Sequence, residues 1–123
     1  MKKILIVEDE LAYLELLKSQ LTQKGYSVIE AENGKKGLET AKKEKPDLIL
    51  LDIRMPVMDG ITMLDLLRKD EYGKSAKVII LTNLEPDNEI VGKVVTDQPT
   101  YYCIKSDTQL DELLEKINAV LSE

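Results

Sequence analysis

The sequence predicts an α/β fold: a doubly wound sandwich whose five-stranded parallel sheet is covered by helices on both faces. Three observations carry this expectation. Five short apolar runs recur along the chain, most of them apolar at consecutive rather than alternating positions, as strands buried on both faces require. Segments with apolar residues at three- and four-residue steps separate those runs. Runs and segments alternate, so right-handed crossovers lay the strands parallel, and 2-1-3-4-5 is a common order for such a sheet.

Taken in order, the first strand is expected over residues 4–7, and the first helix takes its apolar face from Leu14, Leu17 and Leu21, with Gly25 as its stop. The second strand falls within residues 28–31. The second helix is expected to begin after Asn33-Gly34 and to end before Pro46. Residues 48–51 form the third strand, and Gly60 opens a third helix with Ile61, Leu64 and Leu67 on one side. Residues 78–81 form the fourth strand. A fourth helix starting near Pro86 is expected to be short or mobile, because Ile90, Val91, Val94 and Val95 are β-branched and Gly92 sits among them. Residues 101–104 form the fifth strand. The last helix is marked by Leu110, Leu113, Leu114, Ile117, Val120 and Leu121, and Ser106 with Gln109 fits a capping box at its start, with Asp107 a competing cap.

A chain of 123 residues is the size of one compact domain, so residues 1–123 are expected to be a single unit with no effector domain. Apolar residues make up 43%, enough for a core. The formal net charge of −6 argues against nucleic acid or an anionic membrane as partner, and the lysine pairs are scattered among acids rather than gathered in a stripe. A lone cysteine and the lack of histidine exclude an internal disulfide and a Cys/His zinc site, leaving Cys103 a packing role. No apolar stretch is long enough to span a bilayer, and the expected location is cytoplasmic.

The chemistry lies just after the strands, where doubly wound sheets collect their functional groups. Glu8 and Asp9 follow the first, Asp52 the third, Thr82 the fourth and Lys105 the fifth. In the order 2-1-3-4-5 the first and third strands are neighbours, which brings three carboxylates together and calls for a cation. Oxygen ligands of this kind suit magnesium, Mg2+, which commonly shares its site with a phosphate. Lys105 adds a compact charge and Thr82 a hydrogen-bond donor, so the set describes phosphoryl transfer to a carboxylate nucleophile. Taken singly, each of these residues is as readily a helix cap or solvated loop residue, which is the reading given to Glu10. Together they are poorly explained that way.

The whole chain resembles a receiver domain of two-component response regulators. Ile4-Leu5-Ile6-Val7-Glu8-Asp9-Glu10 is similar to the family's opening strand and acidic pair. Leu50-Leu51-Asp52-Ile53-Arg54-Met55-Pro56-Val57-Met58-Asp59-Gly60 resembles its phosphoacceptor segment, and Ile80-Leu81-Thr82 and Tyr102-Cys103-Ile104-Lys105 complete the pattern. The resemblance implies a flavodoxin-like (βα)5 sandwich and phosphorylation of Asp52 by a sensor histidine kinase or a phosphotransfer protein. It implies magnesium held by Asp9, Asp52 and the backbone carbonyl of Arg54, with Glu8 acting through water. It further implies that Lys105 and Thr82 contact the phosphoryl group, and that Thr82 and Tyr102 form a coupled switch. The switch would alter the surface made by the fourth and fifth helices and the fifth strand. Tyr102 also reads as plain core packing, and Tyr101 beside it competes for the role. Such a receiver is not an enzyme acting on a separate substrate. It catalyses its own phosphorylation and slow dephosphorylation, and signals to a downstream protein as a monomer or a phosphorylation-dependent dimer.

The sequence departs from the family at three places. Asn83 follows Thr82 where a small residue is usual, Ser106 follows Lys105 where proline is usual, and Gln98-Pro99 replaces a Gly-Ala step. A cis bond to Ser106 would cost roughly 2.5–4 kcal/mol, so a trans bond is expected. Arg54, two beyond Asp52, is expected to lie in solvent. It also stands where a haloacid-dehalogenase-type phosphatase needs a second aspartate, and Glu8-Asp9-Glu10 would repel the phosphate of a flavin nucleotide. The remaining alternative is an unphosphorylated receiver serving as an interaction module.

Overall fold

The computed structural model describes residues 1–83, 92, 99 and 101–122. In chain order these form β1 (Lys3–Val7), α1 (Leu11–Gln23), β2 (Ser27–Ala31), α2 (Gly34–Glu44), β3 (Leu48–Leu51), α3 (Gly60–Arg68), β4 (Val78–Thr82), β5 (Tyr101–Ile104) and α4 (Leu110–Leu121). The helix expected near Pro86 lies outside the described residues. The sheet has the order β2-β1-β3-β4-β5 with every pairing parallel. The fold class is therefore the one predicted.

Strand residues alternate between two cores. Ile4, Ile6, Leu48, Leu50, Ile79, Leu81 and Cys103 pack beneath α1 and α4, against Leu14, Leu17, Leu21, Leu113, Ile117 and Val120. Leu5, Val7, Ile49, Leu51, Val78 and Ile80 face the other way, against Ala41 of α2 and Ile61, Met63, Leu64 and Leu67 of α3. Consecutive apolar residues are needed because each strand contributes to both layers. Each large side chain removed from water in this way contributes roughly 1.5–3 kcal/mol.

The helix starts follow the sequence signals at two positions and not at a third. Asn33 caps α2 by accepting a hydrogen bond from the Lys36 amide at 2.9 Å, and Asp59 caps α3 through the Thr62 amide at 2.8 Å. The capping box expected at Ser106 and Gln109 does not form, and Asp107 does not cap either. Gln109 occupies the cap position without a side-chain capping bond. The Asp107 amide instead donates to the Ile104 carbonyl at 3.0 Å, so residues 104–107 close a turn that ends β5 before the helix begins. Asp111 and Glu112 in the first turn of α4 complement its dipole in place of a cap. No described peptide bond is cis, so Lys105-Ser106 is trans as expected.

Candidate functional site

β1 and β3 are adjacent with Val7 opposite Leu51, so the residues that follow them, Glu8 and Asp52, emerge side by side at the carboxyl edge. Backbone bonds fix both: the Glu8 amide donates to the Ala31 carbonyl at 3.0 Å and the Asp52 amide to the Val7 carbonyl at 3.1 Å. On the other side β4 ends at Thr82, paired with Ile104 of β5, and the Lys105 amide donates to the Thr82 carbonyl at 2.8 Å. The topology thus delivers the residues singled out in the sequence to one edge. Asp9, Asp52, Arg54, Thr82, Asn83 and Lys105 line a cleft of about 290 Å³.

Burial within this group is uneven. Glu8 is 3% exposed, Asp52 8% and Thr82 1%, while Asp9 and Arg54 are exposed. Arg54 therefore lies on the rim, in solvent, as expected, and Asn83 stands exposed at the cleft beside Thr82. Asp52 Oδ1 accepts from the Ile53 amide at 2.7 Å, which orients the carboxylate, and Oδ2 lies 3.5 Å from Lys105 Nζ. Lys105, its side chain only 8% exposed, donates to Glu8 Oε1, an ion pair that sequence reasoning did not foresee.

The electrostatics follow from the crowding. Burial, then the neighbouring Asp52 carboxylate, push the Glu8 carboxyl up to about 8, and Lys105 offsets this only in part. Burial works against the Lys105 ammonium as well, but its hydrogen bond to Glu8 and the charges of Asp52, Glu8 and Glu10 outweigh it and raise its pKa. With more carboxylates than cations, the edge is short of positive charge.

A divalent cation fits this deficit. Glu8, Asp9 and Asp52 each offer a carboxylate oxygen, and these oxygens lie within 4.8 Å of one another. Glu8 Oε2 is buried without a hydrogen-bond partner among the described residues, a costly state that a cation or its hydration water would relieve. Hard oxygen donors suit magnesium.

The loop after Asp52 explains why Gly60 follows Asp59 in the segment Leu50 to Gly60. Gly60 packs so closely behind Asp52 that a Cβ there would fall 2.1 Å from the Asp52 carbonyl oxygen, and the Gly60 amide donates to the Ile53 carbonyl at 2.8 Å. Gly34, at the start of α2, makes a similar approach: its amide donates to the Met58 carbonyl at 3.0 Å, and a Cβ would lie 2.3 Å from that oxygen. Both helices are thus pinned to the loop that follows Asp52.

Alternation along β5 separates the two tyrosines. Tyr102 is half-buried against the core layer of α2 and α3, whereas Tyr101 lies exposed with Lys116 of α4 5.7 Å from its ring centroid. Cys103 is buried beneath α1 and α4, and burial pushes its thiol up. Tyr13 of α1, which drew no attention in the sequence, stands over Lys105 with Nζ 4.4 Å from its ring centroid. Its position four residues before Leu17 and eight before Leu21 put it on the apolar stripe, and that spacing was the signal available.

A parallel sheet whose carboxyl edge gathers three acids and a lysine fits a module that handles a phosphoryl group with a divalent cation. The response regulator receiver domain model matches residues 4–118, and the chain belongs to that family. It is 35% identical to the protein PilH of Pseudomonas aeruginosa over 122 residues, 99% of each chain. A CheY-like receiver domain protein from Methanospirillum hungatei superposes with a TM-score of 0.90 at 31% identity, covering 99% of this chain and 94% of that one. The response regulator TrrA of Thermotoga maritima, solved in complex with magnesium and beryllium fluoride, gives a TM-score of 0.82 at 36% identity, over 98% and 99% of the two chains. Some other relatives are longer transcriptional regulators, of which this chain spans between about a quarter and a half. The protein is thus a receiver of two-component signalling, with an acidic site that fits phosphorylation. Among the described residues no helix is long and apolar enough to cross a membrane.

Proposed function

We propose that Asp52 is the phosphoacceptor, and that residues 1–123 work as one receiver domain whose output is a protein-binding surface. A carboxylate oxygen of Asp52 attacks the phosphorus of a phosphohistidine on a sensor kinase or phosphotransfer protein. The P–N bond breaks, its electron pair stays on the imidazole, and an acyl phosphate forms on Asp52. The observation that carries this reading is the placement of Asp52: a carboxylate opening on the cleft, oriented by the Ile53 amide and 3.5 Å from a buried ammonium.

In this reading Asp9, Asp52 and the Arg54 carbonyl hold magnesium, and Glu8 reaches it through water. When bound, the ion neutralises charge on the carboxylates and on the transferred group. Lys105 turns from Glu8 toward the phosphoryl oxygens, and the Thr82 hydroxyl, placed at the end of β4 on the cleft wall, donates to one of them. Tyr102, on the opposite side of β5 from Tyr101, follows Thr82 in the switch. No separate substrate is turned over, the location is cytoplasmic, and the altered surface binds a downstream protein as monomer or phosphorylation-dependent dimer.

The test is incubation with phosphoramidate or acetyl phosphate and magnesium, followed by intact-mass measurement. The protein should gain one phosphoryl group, and Asp52→Asn should gain none. Equal labelling of the variant, or no labelling of the wild type where a known receiver labels, would overturn the assignment and favour an unphosphorylated interaction module.

A further inference from the structure

Tyr13 has no role in the scheme above, yet its ring is the wall against which the Lys105 ammonium rests. The separation of 4.4 Å from Nζ to the ring centroid is within the range in which the negative face of an aromatic ring attracts a cation. The same ammonium contacts Glu8 and lies 3.5 Å from Asp52 Oδ2, so the ring, an acid of the metal site and the reactive carboxylate surround one cation. A lysine head group on a four-carbon stem is intrinsically free to wander. The ring is not, because Tyr13 packs on the core layer beneath α1 and α4.

We propose that Tyr13 is a positioning residue for phosphoryl transfer: its ring face holds the Lys105 ammonium at the edge of the cleft and shields it from water. The cation is thereby poised to move from Glu8 to the oxygens of a phosphoryl group on Asp52. The inference rests on the assignment of Lys105 as the phosphoryl-contacting cation. It concerns the ring and not the hydroxyl. Burial, then the charge of Glu8, pushes the Tyr13 phenol up to about 12, so the ring stays uncharged at neutral pH. A residue serving only as core filling would be replaced adequately by leucine, which keeps apolar bulk and has no π face.

The experiment compares Tyr13→Phe and Tyr13→Leu in the full chain, each with Lys105 intact and in a Lys105→Met background. Phosphorylation by phosphoramidate with magnesium is followed by intact mass, and folding by thermal unfolding. Tyr13→Phe should match the wild-type rate within about twofold, while Tyr13→Leu should slow phosphorylation about three- to tenfold, the effect of losing one cation–π contact. In the Lys105→Met background Tyr13→Leu should cause no further slowing, because the ring acts only through the ammonium. If Tyr13→Leu does not fold, Tyr13→Met, unbranched and apolar, is read in its place. An unchanged rate in Tyr13→Leu, equal slowing in Tyr13→Phe, or equal slowing with and without Lys105 would overturn the proposal. A Lys105→Met protein that labels at the wild-type rate would instead overturn the role of Lys105, an outcome seen without altering Tyr13.

Discussion

Val57 is a β-branched residue held at a φ of 69°, in the left-handed region that such side chains rarely adopt. The Met58 amide donates to the Pro56 carbonyl at 2.8 Å, closing a three-residue turn around it. The side chain is 78% exposed, so it returns little burial energy for that conformation. An L-residue in the left-handed region costs roughly 1–2 kcal/mol, and glycine would give back roughly 0.5–1 kcal/mol as unfolded-chain entropy. Val57→Gly should therefore stabilise the protein by about 0.5–1 kcal/mol, read as a higher urea midpoint at unchanged m-value. A lower midpoint would mean that the side chain makes contacts worth more than the strain. The sequence showed this segment only through its resemblance to the family's pattern, and which residue carries the strain depends on how the turn closes.

At the scale of elements, the helix starts decide how well the site is held. Asp59 caps α3 one residue before Gly60, the residue packed behind Asp52, so the cap and the loop after Asp52 are continuous. Asp59→Ala should cost about 1 kcal/mol, measured by chemical denaturation, and Asp59→Asn should restore most of it, because an amide oxygen also accepts from the Thr62 amide. If alanine were neutral, the bond from Thr62 would contribute nothing beyond what water supplies. The starts of α2 and α3 were legible in advance from Asn33-Gly34 and from Gly60, whereas the cap on Asp59 was not singled out. The start of α4 was not legible, since Ser106 and Asp107 are taken up by the turn that ends β5, and a local pattern does not reveal that competition. The five strands were legible as apolar runs and their order as the common one. Which of Tyr101 and Tyr102 faces which layer, and the meeting of Tyr13 with Lys105, depend on pairing and crossover geometry that no single segment encodes.

For the whole molecule, a formal charge of −6 is distributed so that three carboxylates share one edge with a single buried lysine, which ties folding stability, proton uptake and cation binding together. The Glu8 carboxyl is pushed from 4.5 in the unfolded chain up to about 8 in the fold, by burial first and by Asp52 second. The folded state thus holds a proton that the unfolded state releases, and this contribution is complete below about 4.5 and is lost as pH rises through about 8. Metal-free protein should accordingly lose stability across that window. Magnesium needs the ionised carboxylate, so its apparent affinity should climb as the proton leaves, by up to about tenfold per pH unit, and level off above about pH 8. Since a ligand bound only by the fold stabilises it in proportion to the logarithm of its concentration over Kd, the melting-temperature increase from a fixed magnesium concentration should be small at about pH 6 and larger at about pH 8.5. Glu8→Gln removes the titrating group while keeping its size, so it should flatten this pH dependence. The same dependence in wild type and Glu8→Gln would place the coupled proton on another group of the site, and a flat wild-type profile would mean that the Lys105 ion pair already keeps Glu8 ionised at pH 6.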